Sequence, residues 1–457
     1  MYDLAVIGGG PGGYAAALYA HNFDLSVALV EADKVGGTCL HRGCIPAKSW
    51  LQTAETMTRV ASAGDFGVIS SPPTLDWERA RERKNAVVAR NHTGLSGLLK
   101  RRGVDVIEGR GRILSPGMVE VDSGAGVTQR VEAKQTIVAT GSRPRSIPGF
   151  EVDGVRVVTS DHALDWRERP PRVAVIGAGA IGVEFASMLA DFGSEVHLFE
   201  IAPQILPGMD EAAAKVLKRA LSKKGVAIHT GSAVEAPVMG DGGPTLSWAG
   251  ETVEVDTVLV AVGRAPNTSD VGLETTSAKM EGEFVMVDAA TMQTAEAGVY
   301  AVGDIVAGTP QLAHAGFAEG IAAVTHIATG VAQPVDYRAI PLVVYTDPEV
   351  AAVGMTSEQA AEAGVEVEVH EHSFAAVARA AIQGHTAGTA RVIVEKGGPI
   401  MGATITGPQA GELIHEMMFA VGWEAMPSEA ASFIHAHPTL AEAVGETLLA
   451  AAGRSLH

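Results

Sequence analysis

Two stretches of this chain repeat one pattern: an apolar run, a glycine turn, a helical stretch, a second apolar run and an acid. Residues 4–7 enter Gly8-Gly9-Gly10-Pro11-Gly12-Gly13, a small-residue helical stretch covers 14–21, and 25–30 ends at Glu31. Residues 173–176 enter Gly177-Ala178-Gly179-Ala180-Ile181-Gly182, a helix continues through Asp191, and 196–199 ends at Glu200. The spacing is identical, 8 to 31 and 177 to 200. This is the order of a dinucleotide-binding βαβ unit. Its glycines let a pyrophosphate approach a helix N-terminus, and its acid accepts from ribose hydroxyls. The repeat therefore predicts an α/β chain with two nucleotide sites. Glu200 stands where a 2′-phosphate binder would want arginine, which predicts NAD rather than NADP at the second site, unless Glu200 merely faces water.

The chain holds only two cysteines, in Gly36-Gly37-Thr38-Cys39-Leu40-His41-Arg42-Gly43-Cys44-Ile45-Pro46-Ala47-Lys48. So short a loop restrains little of the unfolded chain, so a structural staple is a poor explanation. A zinc site wants four ligands, and no second Cys/His pair accompanies this one. Redox chemistry is favoured over a metal half-site or two unrelated buried thiols. On a regular helix the two Cα atoms would stand about 8 to 9 Å apart, beyond the roughly 7 Å that a disulfide bridges. If the cysteines pair, the helix must break, and Gly43 is the residue able to distort. Pro46 suits the start of a new helical turn.

Of the 457 residues 47% are hydrophobic but only 5% aromatic, and 53 are glycine, the profile of an α/β enzyme with many close backbone approaches. At this length roughly three domains are expected. The net charge of −19 repels nucleic acid and anionic membranes. The N-terminal residues lack a basic n-region and no apolar run reaches membrane-spanning length, so a soluble, cytoplasmic protein is expected. In that compartment a disulfide is more often catalytic than structural.

Further along, 51–102 reads as helical, with Leu95, Leu98 and Leu99 as a buried stripe. Residues 135–139 form a strand leaving through Thr140-Gly141-Ser142-Arg143-Pro144, mirrored by 257–262 and Gly263-Arg264-Ala265-Pro266-Asn267. Prolines 144, 148, 170 and 171 suggest a passage between domains. The strand 299–302 delivers Asp304 at its C-terminal end, where ligands bind in open α/β sheets, although a plain turn aspartate reads the same way. From 336 strands such as 390–395 alternate with helices such as 410–421, and no third fingerprint follows. In His435-Ala436-His437-Pro438-Thr439-Leu440-Ala441-Glu442, Pro438 suits the first helical position, with His437 extended before it and Glu442 in the first turns. A glutamate that orients a histidine makes a base. A solvated histidine and a helix-start acid are the other reading.

Together these motifs resemble the flavin disulfide reductase family over essentially the whole chain. The residues that carry the resemblance are Gly-Gly-Thr-Cys-x4-Cys-Ile-Pro-x-Lys, Ala139-Thr140-Gly141, Val262-Gly263-Arg264-x-Pro266-Asn267, Ala301-Val302-Gly303-Asp304 and His437-Pro438-Thr439-Leu440-x-Glu442, in the family's order. No cysteine follows Cys44, unlike the mercuric and large thioredoxin reductases, and Glu200-Ile201-Ala202-Pro203 replaces the basic residues of glutathione-type enzymes. The similarity is greatest to the branch that oxidises dihydrolipoamide with NAD+. Leu40-His41-Arg42 and Ala47 depart from the commoner Leu-Asn-Val and small hydroxyl residue.

The resemblance implies two Rossmann-like domains, for FAD and NAD, and a C-terminal α+β dimerisation domain. The implied layout is 1–145 for FAD, 146–267 for NAD, 268–335 returning to FAD, and 336–457 for the interface. It assigns Gly8, Gly10, Gly13, Glu31, Thr38, Lys48, Gly111, Thr140, Gly141, Asp304 and Ala313 to FAD, and Gly177, Gly179, Gly182, Glu200 and Gly263 to NAD. It makes Cys39–Cys44 a redox disulfide, Lys48 and Glu184 an ion pair beside the flavin, and His437 with Glu442 the base, acting across a homodimer. A lipoyl domain of a 2-oxo acid dehydrogenase-type complex is the implied partner, with neither nucleic acid nor membrane. A reductase of another small disulfide or of quinones, or a redox-sensing flavoprotein subunit, are the alternatives.

Overall fold

The computed structural model describes residues 1–124 and 126–457. The chain divides into two compact units. The first comprises Met1–Ser49, Arg81–Arg145 and Arg264–Tyr337, and the second Trp50–Ala80, Ser146–Gly263 and Arg338–His457.

In the first unit β1 (Tyr2–Ile7) pairs in parallel with β2 (Val27–Glu31) and, on its other side, with the long β6 (Thr128–Val138). β3 (Asp105–Glu108) extends the sheet beyond β2, and the strand Val299–Ala301 pairs in parallel with β6. β4 (Arg110–Ser115) and β5 (Met118–Asp122) add an antiparallel ribbon to β6. Successive side chains of a strand point to opposite faces. Leu4 and Val6 accordingly join Leu29, Ala16 and Ala323 in one core, while Ala5 and Ile7 join Val30, Ile113 and Val119 in another. Both faces being covered explains why β1 is apolar without alternation from Leu4 to Ile7.

Helix α1 (Pro11–Ala20) opens with proline at its first position, where the missing N–H costs nothing. It lies tightly against the helix Ala313–Thr329, because a Cβ at Gly320 would come within 2.6 Å of the Gly12 carbonyl oxygen. Small residues at that crossing bring the two backbones together.

In the second unit five parallel strands run in the order Ala227–Thr230, Glu195–Glu200, Arg172–Ile176, Thr257–Val260 and Val157–Thr159. A five-stranded antiparallel sheet follows, ordered Leu342–Val344, Glu349–Gly354, Ile400–Gly407, Thr389–Glu395 and Val367–Ser373. The helices Ala410–Gly422 and Glu442–Ala451 pack on it through Ile414, Met417, Val444 and Leu448. This is the mixed α/β architecture, two dinucleotide-binding sheets and a C-terminal α+β part, that the resemblance implies.

Two local expectations fail. The helical stretch over 51–102 is two helices, α3 (Cys44–Ala61) and α4 (Trp77–Arg101), interrupted where Gly64, Gly67, Pro72 and Pro73 fall. Of the proposed stripe on α4 only Leu99 is fully buried. Pro438 does not open a helix: the last helix starts four residues later, at Glu442. The chain first turns through 436–439, with the Thr439 hydroxyl donating to the Ala436 carbonyl at 2.7 Å, and the His437–Pro438 peptide is cis. Among the described residues no helix is long and apolar enough to cross a membrane.

Candidate active site

The cysteines meet because the helix breaks where glycine allows it. α2 (Gly37–Arg42) stops at Gly43, whose backbone (φ −144°, ψ −112°) is far from helical, and α3 begins at Cys44. The break brings the Cα atoms to 4.6 Å and closes the Cys39–Cys44 disulfide. A Cβ at position 43 would stand 3.1 Å from the Thr38 carbonyl oxygen, so the bend is also crowded. Both cysteines are half-buried. Cys44 heads an 18-residue helix, whose N-terminal N–H groups favour a thiolate there once the pair is reduced. His41 Nε2 hydrogen-bonds the Val35 carbonyl at 3.0 Å, and Arg42 pairs with Asp33. Two of the residues that depart from the commoner motif, His41 and Arg42, thus tie α2 to the loop before it.

A cavity of about 550 Å³ lies over the C-terminal ends of β1 and β2, lined among others by Gly8, Glu31, Gly111 and Thr140. The three fingerprint glycines divide by cause. A Cβ at Gly13 would fall 1.8 Å from the Gly8 carbonyl oxygen, and one at Gly8, where φ is +104°, 2.3 Å from that of Ala139. These two are demanded by the protein's own packing. At Gly10, which caps α1, the nearest atom stands 3.9 Å away, so the small residue there leaves room for something outside the chain. A pyrophosphate at the helix N-terminus fits that room. Glu31 accepts from Gly9 N–H at 2.6 Å and Asp33 N–H at 2.8 Å, which fixes the carboxylate at the strand end with lone pairs to spare for ribose. These residues fit FAD.

Not all the residues assigned to FAD line this cavity. Thr38 and Lys48 stand on α2 and α3, Gly141 follows Thr140 with φ +67°, and Ala313 begins the helix Ala313–Thr329. Asp304 Oδ2 accepts from the Ser142 hydroxyl at 2.5 Å, and Arg264 Nε donates to that hydroxyl at 2.6 Å. The sequence reading missed Arg143 and Asn267 as lining residues. Arg143 donates to Asn267 Oδ1 at 3.1 Å, Asn267 Nδ2 to the Thr140 carbonyl at 3.1 Å, and the strands Ser142–Pro144 and Arg264–Pro266 pair antiparallel. The signal was in the two mirrored exits, Thr-Gly-Ser-Arg-Pro and Gly-Arg-Ala-Pro-Asn.

The second fingerprint repeats the construction. A Cβ at Gly182 would stand 1.9 Å from the Gly177 carbonyl oxygen, whereas nothing lies within 4 Å of one at Gly179 or Gly263. Glu200 is buried, accepting from Ala178 N–H at 2.7 Å and Ala202 N–H at 2.9 Å, so it does not face water. An anion at this strand end would repel a 2′-phosphate, and the site fits NAD.

In the same unit Glu184 is buried on the helix Ala180–Asp191 and accepts from Tyr345 N–H at 3.0 Å. His437 is 72% exposed, and its Nδ1 meets Glu442 Oε1 at 2.8 Å. Glu442 Oε2 also accepts from Thr439 N–H at 2.9 Å. Burial works against the Glu442 anion, but the bonds from His437 and Thr439 prevail and hold it below the usual carboxylate range. An imidazole that donates through Nδ1 to an anion turns a basic Nε2 outward.

Residues 2–320 match the family model "Pyridine nucleotide-disulphide oxidoreductase", and residues 340–448 match that family's dimerisation domain. The chain is similar to a dihydrolipoyl dehydrogenase of Bacillus subtilis, 40% identical over 100% of this chain and 99% of the relative. Among solved structures it is similar to LpdA from Mycobacterium tuberculosis, with a TM-score of 0.91 at 28% identity, covering 97% of this chain and 98% of that one. It is also similar to the HOCl-induced flavoprotein disulfide reductase RclA from Escherichia coli, with a TM-score of 0.86 at 26% identity, covering 98% and 99%. A closed cysteine pair on a broken helix, two glycine cradles each backed by a glutamate that accepts from two backbone N–H groups, and these matches from end to end place the chain in the pyridine nucleotide-disulphide oxidoreductase family, with FAD and NAD as its cofactors.

Proposed function

We propose that this protein oxidises the dihydrolipoyl group to lipoyl and reduces NAD+, working through Cys39 and Cys44. The observation that carries this reading is the disulfide closed across Gly43, in a chain without any further cysteine to pass electrons elsewhere. Its full-length similarity to dihydrolipoyl dehydrogenases supports the substrate.

The chain's own residues divide the work. His437, oriented by Glu442, removes a proton from one substrate thiol through Nε2. The resulting thiolate attacks the Cys39 sulfur, forming a mixed disulfide and releasing Cys44 as thiolate, because the thiolate is the attacking species in exchange. The second substrate thiol, once deprotonated, attacks the sulfur bound to Cys39, closes the lipoyl ring and leaves both cysteines reduced. The helix N-terminus at Cys44 stabilises the thiolate left there. Bound FAD supplies the two-electron acceptor for this dithiol and NAD+ the final hydride acceptor. Gly8, Gly10, Gly13, Glu31, Thr38, Gly111, Thr140, Gly141, Asp304 and Ala313 would hold FAD, with Lys48 and Glu184 paired beside its ring, and Gly177, Gly179, Gly182, Glu200 and Gly263 would hold NAD.

His437 and Glu442 lie in the span of the dimerisation domain. We assign them to the disulfide of the partner subunit in a homodimer, which makes the isolated protomer inactive. In this reading 1–145 and 268–335 form the FAD domain, 146–267 the NAD domain and 336–457 the interface. A lipoyl domain of a 2-oxo acid dehydrogenase-type complex is the protein partner, and the reducing cytoplasm is the compartment in which such a pair cycles.

Replacing Cys44 with serine tests the assignment. The variant is expected to keep bound flavin while losing dihydrolipoamide oxidation by several orders of magnitude. Near-normal turnover in that variant would end the reading.

A further inference from the structure

Two His–Glu couples, not one, stand at the start of the last helix. His435 Nε2 meets Glu416 Oε1 at 2.8 Å, and its side chain is only 15% exposed against 72% for His437. Its ring lies against the helix backbone, since a Cβ at Gly445 would come within 2.5 Å of His435 Nδ1. Gly445 is one turn beyond Glu442 on the same helical face. His435 is thus seated between Glu416, from the helix Ala410–Gly422, and the first turns of the helix that carries Glu442.

We propose that His435, held by Glu416, is a positioning residue for thiol deprotonation, setting through its charge the pH at which the His437–Glu442 pair acts as a base. The inference rests on the reading of His437 as that base.

The groups that face His435 are Glu416 from one helix and Glu442 from the other, while His437 shares Glu442. The bond to Glu416 raises the affinity of His435 for its proton above the ordinary histidine value. An imidazolium in that seat favours the Glu442 carboxylate, which is the acceptor that orients Nδ1–H of His437. By holding Glu442 ionised it keeps that acceptor in place down to lower pH, and with it the oriented His437–Glu442 pair. Glu416 balances that charge. Removing His435 alone leaves Glu416 uncompensated, and both changes act in the same direction, against the ionised Glu442 that orients His437.

The test is the pH dependence of the single-turnover reaction of oxidised holoenzyme with dihydrolipoamide, for wild type, His435→Gln and the double variant His435→Gln/Glu416→Gln. For His435→Gln the acid limb is expected to move up by about half a pH unit, so that the rate below the limb drops roughly threefold and the plateau above it drops less. In the double variant, where neither charge remains, the limb is expected to return toward wild type. His435→Asn serves the same comparison if the glutamine does not fit the seat. A uniform loss at every pH, an unmoved limb, or a limb that fails to return in the double variant would overturn the proposal. His437→Gln separates the two readings. If it leaves the half-reaction intact, the base assignment has failed. If it abolishes the half-reaction while the limb of His435→Gln stays in place, only the role of His435 has failed.

Discussion

Glu319 is the most thoroughly buried carboxyl of the first unit, with no solvent exposure at all. It sits on the helix Ala313–Thr329 behind the Gly303-Asp304 turn, accepting from Gly303 N–H on one oxygen and from the Tyr337 hydroxyl, at 3.0 Å, on the other. Burial pushes its pKa up to about 7, against the pull of these donors. A carboxyl whose folded pKa exceeds its unfolded value near 4.5 favours the fold fully below 4.5, and this contribution is lost as pH rises to 7. The gap of about 2.5 pH units corresponds to about 3 kcal/mol. Glu319→Gln keeps the shape, keeps an acceptor for Gly303 and lets the Tyr337 hydroxyl turn to accept from the amide, yet never ionises. Relative to wild type it should therefore be about 1 kcal/mol more stable at pH 5 and about 3 kcal/mol more stable at pH 8. For a chain of this length the unfolding entropy is about 1 kcal/mol/K, so the gain in Tm is about 1 °C at pH 5 and about 3 °C at pH 8. Calorimetry of both holoproteins at the two pH values measures it, and the other titrating groups cancel in the difference. A gain that does not grow with pH, or a variant less stable than wild type at pH 8, would refute the reasoning.

Three further outcomes follow from the site. Replacing His437 with glutamine should slow the reaction with dihydrolipoamide by 10²- to 10⁴-fold, the usual range for loss of a general base, while flavin reduction by NADH persists; stopped-flow traces in both directions check this. Gly182→Ala would put a Cβ 1.9 Å from the Gly177 carbonyl oxygen and force the turn open. NAD+ affinity, measured by calorimetric titration, should fall at least about tenfold at a stability cost of about 1–3 kcal/mol, with flavin content unchanged. Glu200→Ala removes the acceptor of two backbone N–H groups at the same strand end and should weaken NAD+ binding by about tenfold, read in the same titration.

The nucleotide cradles were legible because much of what fixes them lies within one βαβ unit: Gly13 and Gly182 pack on the carbonyls of Gly8 and Gly177, and Glu31 and Glu200 accept from the turn N–H groups. The break at Gly43 was legible for a related reason: two cysteines that pair across four residues cannot sit on one helix. What escaped the sequence depended on contacts between distant segments. Arg143 and Asn267 line the cavity only because two short strands more than a hundred residues apart pair with each other. His435 reads as one more polar residue until Glu416 and Gly445, from two other turns of chain, are seen to seat it. Pro438 misled because a proline before a helical pattern suits two structures, a first turn or a preceding one, and the hydroxyl of Thr439 decides for the second.

The measurement that bears most directly on the central claim is an anaerobic titration of the purified yellow holoprotein with dihydrolipoamide, followed by NAD+. The account predicts that the dithiol reduces the protein and that NAD+ then reoxidises it, forming NADH in proportion to the lipoamide released. Flavin that stays oxidised with dihydrolipoamide, yet is reduced by NADH, would contradict the claim and direct the search to another disulfide or electron acceptor.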